Sequence, residues 1–536
     1  MSIKNTLFRK LRAIEIWFWA AGWAIGCFPV GVAAAETPNI LLILVDDMGY
    51  SDLGSYGGEI ETPNIDTLAN SGLRFISMYN NAKCMSSRAS LLTGLYPQQC
   101  GMDERPGKML NSATLAEVLR PAGYRTLASG KHHGTENLVE RGFDHYYGLR
   151  DGGCNFWNPG AQREGEPPPG NKDVVRYWCD DEKTFAPFTP EDRNFYATDA
   201  FTNRPLQWLD ERALDDQPFF LYLAYTAPHY PLHAWPEDIA KYQGVYDAGY
   251  QDIREARYER MVKMGLVDPA LSPLLPWTGS DWNALPEIER QKEIRRMEIY
   301  AAMLDRADQN IGRVLDKLRA QGQLQNTLIF FASDNGAEAG DSQAVNRSTR
   351  LEDFGTVASF EAVGQDWATV QNTPLRYWKN FAHEGGVRTP FIVTWPGKIG
   401  NPGGLYHEPA HFFDVMPTLV ELTGATYPSE LNGSKVFPMQ GISLRPALEN
   451  KPLAREKPIY WHWDDWQSDI WGGMREGEWK AVFWNENWEL FDLSKDHNEF
   501  DDLSSVHPAR LSRMQQLYRD WYGKSKQDLT NGELSR

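Results

Sequence analysis

The chain has 536 residues, 42% of them hydrophobic and 24% charged, with a formal net charge of −18. That much apolar material builds a large core, divides into two or more domains and excludes a disordered protein. The acidic surplus excludes a nucleic-acid partner, whose phosphates it would repel, but leaves room for a small anion in a local cationic pocket.

The first residues read as an export signal. Lys4, Arg9, Lys10 and Arg12 form a basic start, an apolar stretch runs from Ile16 to Val32, and Ala33-Ala34-Ala35 before Glu36 fits a cleavage site. A signal peptide at 1–35 directs a periplasmic or secreted protein. A membrane anchor is the rival reading, but the stretch is short for a span and broken by Pro29 and several glycines, so no stable span is expected. Cys27 follows Ala24-Ile25-Gly26, a weak match to a lipoprotein site that leaves a lipid anchor open. Of the remaining Cys84, Cys100, Cys154 and Cys179, the pair Cys154 and Cys179 is a candidate disulfide. No Cys/His cluster points to zinc.

Beyond the leader, PNILLILVD (38–46) is a continuous apolar run ending in acid, the pattern of a strand buried on both faces. The design recurs in YRTLA (124–128), PFFLYLAY (218–225), TLIFFASDN (327–335) and PFIVTW (390–395). CMSSRASLLTG (84–94) reads as a helix start, with Cys84 at the end that carries partial positive charge and Arg88 four residues on. Apolar residues at three-and-four spacing from Ile294 to Leu318 predict a long helix, and 413–423 a short one closed by Gly424. Strands alternating with helices predict an α/β fold with a large mixed, mostly parallel sheet flanked by helices, whose ligands gather at the strands' carboxyl ends.

From about residue 445 the character changes. IYWHW (459–463), KAVFW (480–484) and ELFDL (489–493) read as a small antiparallel sheet, with a packed helix from Pro508 to Tyr522. The expected division is a leader at 1–35, a catalytic domain at 36–444 and an α+β subdomain at 445–536. Segments 159–193 and 264–290 read as long surface excursions that shape a substrate mouth, with Trp157, Trp178 and Trp277 in or beside them as either stacking surfaces for a sugar or structural residues.

Two acidic pairs stand at strand ends, Asp46-Asp47 and Asp334-Asn335. One Asp pair alone reads as a turn or helix cap. Two pairs placed alike offer an all-oxygen set suited to a hard divalent cation, Ca²⁺ or Mg²⁺, over zinc. Arg88, Lys131 and Lys379 are candidates for an anion pocket, with His133 and His229 nearby in sequence to lysine or proline turns. His132 and His233 read as surface or supporting residues.

LLILVDDMGYSDLGSYGG, TPNIDTLANSGLRF, CMSSRASLLTG, GKHHG, APHYPLHA, ASDNG and KNFAHEGGVRTPF stand in the order found in type I, formylglycine-dependent sulfatases, which the chain resembles over nearly all of its length after the leader. KYQGVYDAGYQDIREARYERMVKMGLVD is similar to the middle of bacterial arylsulfatases, and GEWKAVFW with WELFDLSKDHNEFDDLSSVHP resembles the family's C-terminal domain. The resemblance implies an alkaline-phosphatase-like fold and hydrolysis of sulfate esters, aryl or simple ones first. It implies conversion of Cys84 to formylglycine by a maturation enzyme, with the hydrated aldehyde as nucleophile and one Ca²⁺ held by Asp46, Asp47, residue 84, Asp334 and Asn335. Lys131 and Lys379 would neutralise sulfate oxygens, His229 with Lys379 would protonate the leaving alcohol, and His133 would take the second hydroxyl's proton. Arg88 would stabilise the formylglycine.

Two positions depart from the family pattern: Ser86 where Pro or Ala is usual, and His132 where an aromatic residue is common. A glycan sulfatase, a phosphate or phosphonate monoester hydrolase and a catalytically silent binder of sulfated glycans are the alternative readings. A pure binder needs no acid or base, and the paired lysines favour sulfate over phosphate.

Overall fold

The computed structural model describes residues 37–105, 107–170, 175–212, 217–340, 348, 350–464, 470–484 and 487–534. The expected leader, with Cys27, lies outside them. Thr37–Arg536 form one compact unit. No helix among the described residues is long and apolar enough to cross a membrane.

The large sheet holds eleven strands. In chain order they are β1 (Asn39–Val45), β2 (Leu73–Tyr79), β3 (Arg125–Gly130), β4 (His145–Leu149), β5 (Trp178–Asp180), β6 (Lys183–Phe185), β7 (Phe219–Ala224), β8 (Thr327–Ser333), β9 (Arg388–Thr394), β10 (Gly404–Tyr406) and β11 (Ala410–His411). Their spatial order is β10-β2-β9-β8-β1-β7-β3-β4-β5-β6, with β11 also beside β2. The central run β8-β1-β7-β3-β4 is parallel, while β9 runs against both β8 and β2.

Every residue of β1 is buried, which is why its sequence is an unbroken apolar run rather than an alternating one. Ile40, Leu42 and Leu44 enter the core on one face, and Leu41, Ile43 and Val45 that on the other. The long helix Glu287–Ala320 packs on the second face, extending further in both directions than its apolar spacing predicted. The helices Cys84–Thr93 and Val415–Thr423 cover the first face. Gly424 closes the latter in the left-handed conformation, as expected.

The C-terminal sheet has four antiparallel strands, Ile459–Trp463, Trp471–Glu476, Trp479–Trp484 and Asn487–Asp492. The second of these was missed in the sequence, because WGGMRE carries two glycines and no alternation. Trp461, Trp463 and Trp471 join the main core, while Met474, Ala481 and Leu490 form a small core with Met514 and Tyr518 of the helix Pro508–Leu534.

Three further expectations are corrected. Segment 159–193 supplies the edge strands β5 and β6, and Trp178 lies inside the core, stacked on Phe188 and Phe201. Cys154 and Cys179 are both free thiols. They belong to cores on opposite faces of the sheet, so no bond joins them. Of the two readings of His132 and His233, burial removes the surface one and leaves the supporting one; His233 is fixed between the Phe156 amide and the Ser359 carbonyl.

Candidate active site

Parallel pairing brings the two acidic pairs together. Val45 is in register with Ser333, so Asp46-Asp47 and Asp334-Asn335 leave neighbouring strands side by side. The Asp334 amide donates to the Val45 carbonyl at 3.1 Å and the Asp47 amide to Asp334 Oδ1 at 3.3 Å. Asp47 holds a left-handed backbone (φ 66°), a costly conformation for a residue with a side chain. Lys131 follows β3, two strands away, and its amide donates to the Ala224 carbonyl at 2.7 Å. Gly130 makes that approach possible: at φ 110°, a Cβ there would lie 1.8 Å from the Ala224 oxygen. His229 follows β7. Because β9 runs backwards, the turn before it, with Lys379, reaches the same edge of the sheet.

The resulting cluster is buried and dense in charge. Lys131 Nζ donates to Asp46 Oδ2 at 2.6 Å. Lys379 Nζ donates to both Asp47 oxygens, at 2.8 and 3.1 Å, and pairs with Glu338 at 2.8 Å. Arg88 Nε donates to Asp334 Oδ2 at 2.8 Å and Nη1 to the Lys131 carbonyl at 2.9 Å, while Nη2 stands 3.6 Å from Asp46. Cys84 opens its helix with Sγ 3.8 Å from Asp47 Oδ1. His229 Nε2 is 3.4 Å from Asp47 Oδ2, and its Nδ1 bonds the Tyr230 carbonyl. His133 lines the same cavity, and its buried Nδ1 has no hydrogen-bond partner. Every site residue singled out in the sequence is in this one group.

The donor set fits a hard cation. Oxygens of Asp46, Asp47 and Asp334 and the Cys84 sulfur all lie within 4.8 Å of one another. Buried Asp46 Oδ1 and Asn335 Oδ1 have no hydrogen-bond partner. Burial and then Asp334 push Asp46 up to about 8. Burial acts the same way on Asp47, but Lys379, bonded to both its oxygens, outweighs it and holds that carboxyl below its usual range. Burial, Asp334 and Asp46 raise the Cys84 thiol well above the ordinary value. Burial, aided by Lys131 and Arg88, keeps His133 neutral far below its usual pKa, and burial does the same to His229.

A family model for the sulfatases matches residues 38–425. The chain belongs to the sulfatase family. Its class of activity is sulfuric ester hydrolysis. The model for the C-terminal part of N-sulphoglucosamine sulphohydrolase matches residues 376–520 of this sulfatase. It is 33% identical to an uncharacterized sulfatase of Schizosaccharomyces pombe, over 90% of this chain and 93% of the relative. It is 32% identical to an arylsulfatase of Klebsiella aerogenes, over 80% of this chain and 95% of that one. Among solved structures, Ps i-CgsB in complex with k-i-k-neocarrahexaose is similar at 27% identity and a TM-score of 0.66, covering 92% of this chain and 94% of that one.

The sulfatase's cluster forms the floor of a cavity of about 820 Å³, open to solvent, whose lining includes Cys84, His133, His229 and Lys379. Its aromatic walls are Tyr230, Phe360, Trp378 and Trp463, which the sequence reading did not select. The tryptophans it did select lie elsewhere: Trp157 packs on Tyr196 and Trp235, and Trp277 on Tyr250. Segment 264–290 does not line the cavity, and 159–193 contributes Arg176 among the described residues. The two departures from the family pattern are accommodated locally. Ser86 Oγ donates to the Met102 carbonyl at 2.9 Å, and His132 Nε2 lies 4.0 Å from Glu136.

Proposed function

We propose that this sulfatase hydrolyses sulfate esters with a formylglycine formed from Cys84 and one Ca²⁺ held by Asp46, Asp47, residue 84, Asp334 and Asn335. The observation that carries the reading is position 84 itself: a buried helix-start residue 3.8 Å from Asp47, inside a group of three acids, two lysines and an arginine. As a thiol, Cys84 is held protonated by burial and by Asp334 and Asp46, so it is a poor nucleophile in this setting. A hydrated aldehyde supplies one hydroxyl for attack on sulfur and a second whose deprotonation releases sulfate. Calcium, when bound, lowers the cost of ionising a neighbouring hydroxyl and neutralises sulfate oxygens.

The chain's own residues supply the rest. Lys131 and Lys379 stabilise negative charge as it shifts between sulfate oxygens. Lys379, kept protonated by Asp47 and Glu338 despite burial, is the proton source for the leaving alcohol, and His229 Nε2, unprotonated in the neutral ring, relays only a proton that it first takes up. The Nδ1 of His229 is committed to the Tyr230 carbonyl, which leaves Nε2 for that exchange. His133, neutral and with an unpartnered nitrogen, is the base for the second hydroxyl. Arg88 orients Asp334 and keeps its own proton throughout, since Asp334 and Asp46 hold the guanidinium charged.

Export through a cleaved leader at 1–35, maturation by a formylglycine-generating enzyme and a division into a catalytic part (36–444) and a C-terminal part (445–536) belong to the same reading. A sulfated glycan is a second reading for the substrate beside an aryl ester, favoured by the cavity volume of about 820 Å³. The test is intact mass of the peptide containing residue 84, together with sulfate release against phosphate release and a Cys84→Ala control. An unmodified thiol in fully active protein would sink the mechanism, and phosphate release outrunning sulfate release would sink the function.

A further inference from the structure

The two imidazoles of the site share a wall of bare backbone. Gly152 and Gly153 line the cavity beside His133 and His229. A Cβ on Gly152 would lie 2.6 Å from both Cε1 and Nε2 of His133. Carbon packs on a ring at about 3.5 Å, so a methyl there displaces the imidazole by roughly 1 Å. A Cβ on Gly153 would lie 3.2 Å from Cε1 of His229, which a shift of a few tenths of an ångström relieves. Neither glycine has a left-handed backbone, so alanine fits the chain at both positions and differs only by that methyl.

The wall is anchored on both sides, and His133 leans on it. The Arg150 amide donates to the Tyr177 carbonyl at 3.0 Å, the Arg150 guanidinium lies 3.9 Å from the Tyr177 ring centroid, and Asp151 accepts from the Tyr177 amide. On the far side Asn155 Nδ2 donates to the Val357 carbonyl at 2.8 Å. The Arg150 carbonyl in turn accepts from the His133 amide at 2.8 Å and the Gly134 amide at 3.2 Å, which holds His133 in a left-handed backbone (φ 64°). One carbonyl thus sets both the backbone of His133 and the start of the loop that its ring meets. Among the described residues Nδ1 of His133 has no hydrogen-bond partner, so contact, not a bond from that atom, holds the ring. His229 is held otherwise: its Nδ1 bonds the Tyr230 carbonyl, and its ring stacks on that of Tyr230 with centroids 4.4 Å apart.

We infer that Gly152 is a positioning residue for His133: the side chain it lacks is what lets the imidazole stand where it draws the proton that frees sulfate. This rests on the reading of residue 84 as the sulfate-cleaving group. His133 acts only in the second half of the cycle. It takes the proton of the second hydroxyl, the O–H pair becomes the carbonyl, and the carbon–oxygen bond to sulfate breaks with its electron pair leaving on sulfate. Attack on sulfur and departure of the alcohol come first and draw on Lys379 and His229. A misplacement of about 1 Å costs on the order of 100-fold in rate, so a methyl at 152 slows sulfate release and leaves alcohol release nearly intact.

The test uses the full chain and an aryl sulfate with a good leaving group, which makes the first half fast. Gly152→Ala should lower kcat about 100-fold, while kcat/KM, which counts only steps through alcohol departure, stays within about threefold. The first turnover should then release the alcohol in a stoichiometric burst. Gly153→Ala, the same change one residue on, should cost about threefold or less in both constants and show no burst. Crystal structures should show the His133 ring moved by about 1 Å in the first variant and in place in the second. In a His133→Ala background Gly152→Ala should cost nothing more, because the methyl takes up space the ring has left; this pair also reads the coupling where Gly152→Ala alone fails to fold. Equal losses from the two glycine variants, a His133 ring unmoved by the methyl at 152, or additive losses in the double variant would overturn the proposal. If the ring moves as expected while wild-type protein releases no sulfate, the placement by Gly152 stands and the reading of residue 84 fails.

Discussion

Loading the carboxylate cluster with calcium should expel a proton, and Asp46 is its source. Burial and the adjacent Asp334 push that carboxyl up to about 8 when no cation offsets them. At pH 7 a group titrating there is about 90% protonated, whereas a carboxylate must be ionised to hold Ca²⁺. Loading therefore releases most of one proton at pH 7 and progressively less as pH rises past 8. The apparent calcium affinity rises about tenfold per pH unit below pH 7 and levels off above pH 8. Calorimetry of chelator-stripped protein in two buffers of different ionisation enthalpy counts the protons directly. The same shift fixes the sign of the stability change. Asp46 has a folded value above its unfolded value of 3.8, so the native state holds the extra proton and cation-free protein loses stability as pH rises from about 4 to about 8. Asp47 acts the other way: its lowered value contributes stability above 3.8 that acid removes. Calcium binding with no proton release at pH 7 would refute the electrostatic account of this cluster.

Four substitutions extend the test. Cys84→Ala should abolish sulfate release and weaken calcium binding, because it removes one of the proposed ligands, while far-UV circular dichroism stays near wild type, read by calorimetry and spectroscopy. Asp334→Asn should lose both calcium affinity and rate, because it removes a charge from the cation site and the partner of Arg88; undiminished calcium binding would remove Asp334 from the ligand set. Lys480→Met should cost about 3–5 kcal/mol in urea denaturation. Lys480 is fully buried between Glu384 at 2.6 Å and Glu499 at 2.8 Å, and its loss takes the cation from Glu499 and leaves Glu384 with the Tyr79 hydroxyl and Arg388, under the turn that leads to β9. Gly130→Ala should cost about 1–3 kcal/mol and most of the activity, since the chain must shift where it delivers Lys131.

Much of the site could be read from residues alone, because a strand buried on both faces has to be apolar along its whole length and can turn polar only where it stops. That is why the runs at 38–46 and 327–335 identify both the strands and the acids at their ends. Strand β2, LRFISMY, escaped notice since Arg74 interrupts its apolar run and spans its side chain to the Ser55 carbonyl. The edge strands β5 and β6 are three residues each, too short to show a period. The supposed disulfide failed because a sheet lies between its two thiols, and sequence carries no sign of which face a cysteine enters.

Chain order and residue type thus determined the α/β architecture, the kinds of group at the reacting centre and the family to which the chain belongs. Tertiary structure alone decided their arrangement. The register of β1 with β8 sets the carboxylates side by side, and the reversal of β9 carries Lys379 to the same edge. It also brings Trp463 under Lys83, from a strand hundreds of residues away. Hydrophobic burial dictates a local pattern whatever its partners, whereas the meeting of distant charges depends on which strands pair, and pairing is settled only when the whole sheet packs.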